Sequence, residues 1–296
     1  MSANLVCLGS NSESAERWLI VGASVTGLSH LSANQPCEDS LQVSMITKEF
    51  GVAVVCDGAG SAGASEKGSR FITTAAVQIF TEIVQQRDWP TLGMPGDQEW
   101  ATAGYEGLQK VREQLTRYAA AENLALEEFA STVIIVVFSP TGLLLTHIGD
   151  GRAAYCGHNE EWHSMMTPHK GEEMNATFFI TSAQWNETAL LPNGPTLPES
   201  RVIHDAIRGF ALLTDGCERH CFEVSKMNET SRRWTDPNLP FAGFFNPIAR
   251  QLEQMVQEES THVDIQQHWT NFLLTGTQGL RDESDDKTMV FAILLP

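Results

Sequence analysis

The chain has 296 residues, 42% of them hydrophobic, which is enough to bury a sizeable core. Its 37 acidic residues outnumber its 19 basic residues and give a formal net charge of −18. This negative field repels nucleic-acid phosphates and anionic membrane surfaces. We therefore predict one domain covering residues 1–296, with no nucleic acid and no membrane among its partners.

The N-terminus and the cysteines indicate a reducing environment. The first residues lack the basic region and the long apolar core of a signal peptide. The six cysteines include no C-x-x-C pair. Cys217 and Cys221 flank His220, but without a second pair of ligands this spacing does not predict a zinc site. We expect a cytoplasmic protein.

In the first half of the chain, strand signals surround two helix signals. Apolar and β-branched runs predict strands at 18–26, 41–47 and 51–56. Helical spacing of apolar residues predicts helices at 63–87 and 98–122, with a Pro- and Gly-rich loop at 88–97. Two further strands, 132–138 and 143–148, are joined by a Ser-Pro-Thr-Gly hairpin signal.

The second half is less regular. A short strand is predicted at 152–156, and the stretch 157–200 contains several prolines and glycines. We interpret this stretch either as a flap over a site or as a plain surface excursion. Then follow a strand, a helix start, a polar loop, two helices and a last strand, at 207–214, 217–224, 228–246, 247–258, 261–275 and 288–295.

The order of these elements predicts the fold class. Helices come in pairs between blocks of hairpin-like strands, and they do not alternate one for one with strands. This order favours antiparallel sheets over a doubly wound parallel sheet. We predict an α+β fold, a four-layer α-β-β-α sandwich in which helices cover the outer faces of two antiparallel sheets.

Acidic residues stand at the ends of several predicted strands. Three strands end in Asp-Gly, at Asp57, Asp150 and Asp215, and two acidic pairs adjoin other strands, at 38–39 and 285–286. A single Asp-Gly is usually a tight turn, but carboxylates gathered at one rim of a sheet repel each other unless a cation neutralises them. Because oxygen ligands suit Mg²⁺ and Mn²⁺, the set predicts a metal site.

The motifs in order resemble the PP2C family of metal-dependent protein serine/threonine phosphatases, nearly from end to end. They are Glu38-Asp39, Asp57-Gly58, Ala130-Ser131-Thr132, Gly149-Asp150-Gly151-Arg152, Thr214-Asp215-Gly216 and Asp285-Asp286-Lys287-Thr288. Each piece alone is weak, whereas the series is specific. The segments at 29–39 and 171–179 are most similar to a bacterial branch of that family.

The resemblance implies a centre of two Mn²⁺ or Mg²⁺ ions. Asp57 would bridge both ions, and the carbonyl of Gly58 would bind one of them. Asp215 and Asp285 would hold the other ion, and Asp39 would contribute directly or through a water. Asp57, Asp215 and Asp285 are therefore the candidate catalytic residues.

The resemblance also implies the reaction and the partners. The reaction is hydrolysis of phosphoserine or phosphothreonine on proteins by a water that the two ions activate, so no side-chain nucleophile is required. The substrate is a phosphoprotein, and a cognate Ser/Thr kinase is an expected partner. Relatives often have a third ion beside an acidic residue, and Glu128 stands in the comparable place. Asp150 would either join that ion or form an ion pair with Arg152.

The chain departs from the family pattern at the positions that contact the substrate. Many members have an arginine shortly before the first acidic pair, where this chain has His30. Ala59 stands where some members carry a histidine that acts as general acid. We expect His30, Arg152 and His169 to bind the substrate phosphate or to assist the leaving group.

Two alternatives come from the same residues. Residues 58–63 match the G-x-G-x-x-G pattern of dinucleotide-binding proteins, but Asp57 would place a negative charge beside the pyrophosphate. The second alternative follows from the two positions that differ from the family pattern, His30 and Ala59. It is a catalytically weak or inactive PP2C-like module that binds phosphoproteins.

Overall fold

The computed structural model describes residues 6–8, 17–169, 177–183, 185, 197–228 and 232–295. The longer strands are β1 (Val6–Leu8), β2 (Arg17–Val25), β3 (Ser40–Met45), β4 (Gly51–Cys56), β5 (Val133–Ser139), β6 (Gly142–Ile148), β7 (Arg152–Cys156), β8 (Trp162–Ser164), β9 (Glu199–His204), β10 (Gly209–Leu213) and β15 (Lys287–Leu295). Four short strands are β11 (Phe222–Glu223), β12 (Lys226–Asn228), β13 (Arg233–Thr235) and β14 (Leu239–Pro240). The helices are α1 (Leu28–Ala33), α2 (Ser65–Gln86), α3 (Trp89–Leu92), α4 (Asp97–Glu122), α5 (Asp215–Cys221), α6 (Ala242–Gln257), α7 (His262–Thr275) and α8 (Gln278–Asp282).

Two antiparallel sheets form the centre of the molecule. One has six strands in the order β1-β2-β15-β10-β7-β8, and the other has five in the order β3-β4-β5-β6-β9. Buried residues from both sheets meet in one apolar layer. In that layer the Trp18 ring lies edge-on against Phe138 and Phe210, at centroid distances of 5.2 and 5.5 Å. Aromatic side chains thus fill the space between the sheets.

Helices cover the two outer faces. Buried residues of α2 and α4 pack on the five-stranded sheet, and those of α6 and α7 pack on the six-stranded sheet. Every residue of β4, β5 and β6 is buried. This pattern is expected for strands that are covered by helices on one face and by the second sheet on the other. The predicted α+β four-layer sandwich is confirmed.

Most predicted elements are present with ends shifted by a few residues, and three stretches differ. The predicted loop at 88–97 contains the short helix α3, and the predicted loop at 228–246 contains β13, β14 and the start of α6. The sequence predicted that this helix starts at Pro247, but α6 begins five residues earlier, at Ala242. Phe245 explains the earlier start, because its ring stacks on Trp162 at 4.5 Å and is fully buried.

The predicted excursion at 157–200 is described only in part. It contains β8 and the start of β9, whereas residues 170–176, 184 and 186–196 lie outside the described residues. The interpretation of this stretch as a flap therefore falls mostly on residues that are not described. Within the described ranges, no helix has the length and apolar character needed to cross a membrane.

Candidate active site

The strand pairing brings the predicted acidic residues to one edge of the sandwich. Ser40 pairs with Cys56 in the β3–β4 ladder, so Asp39 and Asp57 are neighbours at its end. Leu213 pairs with Met289 in the β10–β15 ladder, so the chain after β10 and the chain before β15 share an edge. Between the two sheets lies a cleft of about 210 Å³. Its lining residues are His30, Glu38, Asp57, Gly58, Ala59, Gly60, Thr132, Asp150, Thr177, Phe179, Asp215, Asp285 and Asp286.

The backbone of Asp57 is held by the Ala-Ser-Thr motif that precedes β5. The Asp57 carbonyl accepts hydrogen bonds from the Ser131 hydroxyl at 2.7 Å and from the Thr132 amide at 2.8 Å. The Asp57 amide donates to the Thr132 hydroxyl at 3.1 Å. Since these bonds occupy the main chain, the Asp57 carboxylate is directed into the cleft by the fold.

The glycine of Thr214-Asp215-Gly216 allows the backbone at Asp286 to lie close to the start of α5. Asp215 is the first residue of α5, and a Cβ on the next residue, Gly216, would collide with the carbonyl oxygen of Asp286. Only glycine lets the two backbones come this close. Asp215 and Asp285 therefore enter the cleft from neighbouring strand ends.

Asp286, the neighbour of Asp285, connects three segments of the chain through its carboxylate. Its carboxylate accepts hydrogen bonds from the Gly27 amide at 2.7 Å and from the Glu38 amide at 2.6 Å. It also contacts His30 Nδ1 at 2.9 Å. Asp286 thus joins the start of α1 and the first acidic pair to the last strand.

Burial and mutual repulsion raise the pKa values of the acidic residues in this region. The pKa of Asp57 is raised by burial and by Asp39 and Asp215, and the pKa of Asp39 is raised by burial and by Asp286. The pKa of Asp215 is raised to about 6 by burial, by Asp150 and by Asp285. Asp285 lies at the exposed edge, and partial desolvation still raises its pKa. The cleft thus disfavours carboxylate charge unless a cation is bound.

The residues fit a pair of hard divalent cations. Among the described residues that line the cleft, six carry carboxylates, and His30 is the one that can carry a positive charge. Glu38 Oε2 is buried and has no hydrogen-bond partner. A buried carboxylate oxygen without a partner is costly, and a cation would satisfy it. The donor set is all oxygen, which suits Mg²⁺ or Mn²⁺.

Comparison with known proteins agrees with this geometry. Residues 26–266 match the family described as Protein phosphatase 2C. The chain belongs to the protein phosphatase 2C family. Serine/threonine-protein phosphatase 3 of Escherichia coli (strain K12) is 28% identical over 281 residues, which cover 93% of this chain and 98% of that protein.

Solved structures show the same fold. Serine/threonine phosphatase Stp1 from Staphylococcus aureus superposes with a TM-score of 0.54 at 13% identity, covering all of both chains (100% and 100%). The catalytic domain of the serine/threonine protein phosphatase PstP, solved in complex with two manganese ions, superposes with a TM-score of 0.51 at 15% identity. That match covers 95% of this chain and 100% of the solved catalytic-domain chain. The antiparallel pairing of β4 with β5 also opposes the dinucleotide alternative, which requires parallel neighbours.

The predicted metal ligands lie at different depths. Asp57, Gly58, Asp215 and Asp285 line the cleft, whereas Asp39 is buried behind them and accepts a hydrogen bond from the Thr214 hydroxyl at 2.8 Å. Glu128 does not line the cleft. Its Oε2 accepts a hydrogen bond from the Gly63 amide at 2.9 Å.

The predicted substrate contacts are not brought together. His30 lines the cleft, but Arg152 and His169 do not. The Arg152 guanidinium is fully buried and binds Glu218 at 2.8 Å and Asp236 at 2.6 Å. The His169 ring is buried and stacks on His147 at 4.1 Å.

Five polar residues of the cleft lining stand outside the predicted site residues: Glu38, Thr132, Asp150, Thr177 and Asp286. Glu38 is the first member of the acidic pair from which only Asp39 was chosen, so the pair itself carried the signal. Asp150, expected either at a third ion or beside Arg152, lines the cleft and accepts a hydrogen bond from the Thr177 hydroxyl at 2.8 Å. Thr177 lies in the segment 171–179 that resembles the bacterial branch, but no role was predicted for it.

The protein without metal should lose stability as pH rises through the weakly acidic range. The pKa of Asp215 is about 6 in the fold against 3.8 for a free aspartate, so the native state binds more protons between these values. Stability therefore falls as pH rises through this window. Urea unfolding from pH 4.5 to pH 7.5 in EDTA measures the slope, and Asp215→Asn should flatten it. A stability that rises through the window would contradict the prediction.

Proposed function

We propose that the protein hydrolyses phosphoserine and phosphothreonine esters on proteins, with two Mn²⁺ or Mg²⁺ ions in the cleft. Family membership makes it a metal-dependent serine/threonine phosphatase, and the choice of ions is our inference from the oxygen ligands. The observation that carries the proposal is the meeting of Asp57, Asp215 and Asp285 in one cleft from three separate strand ends.

The residues of the cleft have distinct roles in this proposal. Asp57, the Gly58 carbonyl, Asp215 and Asp285 hold the ions, and Glu38 adds its free oxygen. When bound, the ions supply Lewis-acid stabilisation of the phosphoryl oxygens and make water a stronger nucleophile. The buried Asp39 does not line the cleft, and it positions the segment before Asp215 by accepting a hydrogen bond from Thr214. Glu128 stays a prediction for a third ion.

His30 is our candidate for the phosphate contact. It lines the cleft, and its Nδ1 faces Asp286 at 2.9 Å, which leaves Nε2 for a ligand. Arg152 and His169 are not included in this role, because both are buried away from the cleft lining. With a histidine in place of an arginine, we expect weaker binding of the substrate phosphate than a bidentate arginine contact gives.

The partners and the location remain proposals. We propose a phosphoprotein substrate modified by a cognate Ser/Thr kinase, within the cytoplasm and within the single domain predicted for residues 1–296. The resemblance to bacterial members supports the kinase, and the free cysteines among the described residues support a reducing compartment.

Removal and restoration of metal test the proposed function. After treatment with EDTA, we expect hydrolysis of a phosphothreonine peptide to fall by at least about 100-fold, because the ions provide most of the activation. Addition of Mn²⁺ or Mg²⁺ should restore the rate. Phosphate release measured at several concentrations of each ion shows how the rate of hydrolysis depends on that ion. A rate unchanged by EDTA, or no hydrolysis of the peptide with either ion, would refute the proposal.

A further inference from the structure

A second group of ligand-type side chains lies outside the cleft. It consists of His147, His169 and Glu199, all buried, with exposed fractions of 0%, 1% and 8%. One ligand atom of each residue lies within 4.8 Å of the others, and no other such group of three occurs among the described residues. We propose that this group binds a transition-metal ion of the Zn²⁺ class, separate from the ions of the cleft.

The fold places the three side chains on firmly held segments. His147 and Glu199 are directly paired residues of the β6–β9 ladder, and His147 Nε2 lies 2.9 Å from Glu199 Oε2. His169 is fixed by its amide, which donates to the Gly149 carbonyl at 2.9 Å, and its Nε2 lies 4.0 Å from the same Oε2. Zinc ligands at about 2.0–2.1 Å from a tetrahedral ion are roughly 3.3 Å apart, so these distances bracket the required spacing.

An unpartnered nitrogen points to a ligand. His169 Nε2 is buried, and no protein atom forms a hydrogen bond with it. A buried polar atom without a partner costs free energy, and the shared Oε2 of Glu199 is too distant to satisfy it. An ion between the two histidines and Glu199 would bind this nitrogen.

The surroundings favour neutral histidines and a charged carboxylate, and each Nε2 has to pass its proton to Nδ1 before it can bind an ion. Burial lowers the pKa of both histidines, that of His169 to about 2, so both rings are neutral at pH 7. Burial alone would raise the pKa of Glu199, but hydrogen bonds from His147 and the Thr167 amide and the charge of Arg201 lower it. Arg201 binds Oε1 and so leaves Oε2 to face the rings. Outer contacts of this kind orient metal ligands.

The class of ion follows from the donors. Two neutral imidazoles and one carboxylate favour Zn²⁺ and similar ions over Mg²⁺, which prefers oxygen. Three protein ligands leave a fourth position open for water.

Binding requires a local change. The two rings are stacked with an angle of 12° between their planes, so they have to tilt for both lone pairs to reach one ion. Two hydrogen bonds are given up when the Nδ1 atoms take the protons: the long one from the Gly149 amide to His169 Nδ1 at 3.4 Å, and the one between His147 Nε2 and Glu199 Oε2 at 2.9 Å.

Zinc content and thermal unfolding test this site. The full chain is dialysed against micromolar Zn²⁺ with millimolar Mg²⁺ present, so that Mg²⁺ competes at the carboxylates of the cleft. We expect one zinc per chain and a melting temperature raised by several degrees. Asp57→Asn in the cleft should retain this zinc, which separates the site from the proposed catalytic ions.

Variants of the group complete the test. His169→Gln should bind zinc at least about 100-fold more weakly, since it loses a direct ligand. Glu199→Gln gives a second reading if His169→Gln does not fold. His158→Gln is the matched control, because His158 is exposed and contacts Asp205 on the surface. Wild-type protein without bound zinc, or equal zinc affinity in wild type and both variants, would overturn the proposal.

Discussion

Asp57→Asn should lower the phosphatase rate by at least about 1,000-fold, equivalent to about 4 kcal/mol of lost transition-state stabilisation. Asp57 lies among the acidic residues of the cleft, and Asp39 and Asp215 are the two charges that raise its pKa most. An asparagine keeps the size of the side chain but supplies no negative charge to shared cations. The measurement is the rate on a phosphothreonine peptide at saturating Mn²⁺.

The same substitution should not destabilise the protein without metal. Burial and the neighbouring carboxylates already raise the pKa of Asp57, so a neutral side chain relieves repulsion there. We expect an equal or higher melting temperature in EDTA, together with a smaller Mn²⁺-induced rise than in wild type. Loss of activity without loss of stability distinguishes a metal ligand from a structural residue.

Asp97→Asn is the control for Asp57→Asn. Asp97 is an exposed carboxylate at the start of α4, so its change should affect neither the rate nor the response to Mn²⁺. Equal rates for wild type and Asp57→Asn would contradict the assignment of Asp57. Equal rates would also favour the alternative function, a catalytically inactive module that binds phosphoproteins.

The fold was predictable from the sequence because its strands are covered on both faces. Strands β4, β5 and β6 are buried along their whole length, so each appears in the sequence as a continuous apolar run. Strands β8 and β9 have partly exposed residues and no such run, and they were missed. Helix α6 was placed too late, because Pro247 usually marks a helix start and the burial of Phe245 was invisible in the sequence.

The meeting of acidic residues in one cleft was predictable where it depends on motifs at strand ends. Asp57, Asp215 and Asp285 adjoin strand ends, and the pairing of strands brings those ends together. Contacts between distant side chains left no such signal. Nothing in the sequence around Arg152 indicates that its partners are Glu218 and Asp236, which follow by 66 and 84 residues. Arg152 was predicted to contact the substrate because it follows the Gly-Asp-Gly motif, whereas tertiary packing directs its guanidinium to Glu218 and Asp236.

Arg152→Met should destabilise the protein by about 3–5 kcal/mol, the range for a buried ion pair that loses one partner. Arg152 Nη2 donates to Glu218 at 2.8 Å and to Asp236 at 2.6 Å, and Nη1 donates to Asn238 at 2.8 Å. Methionine fills similar space but leaves the buried Glu218 without its arginine. Urea unfolding in EDTA gives the free energy change directly.

The kinetic consequence separates this structural role from phosphate binding. If Arg152 acts through packing alone, KM for a phosphothreonine peptide should stay within about 2-fold of wild type at a temperature where the variant is folded. A KM raised 10-fold or more with unchanged stability would instead place Arg152 in contact with the substrate. Arg117→Met is the control, because the Arg117 side chain is 76% exposed and its pair with Glu113 contributes at most about 0.5 kcal/mol. The buried arginine thus has its large effect on folding because it joins the start of β7 to α5, the helix on which Asp215 is the first residue.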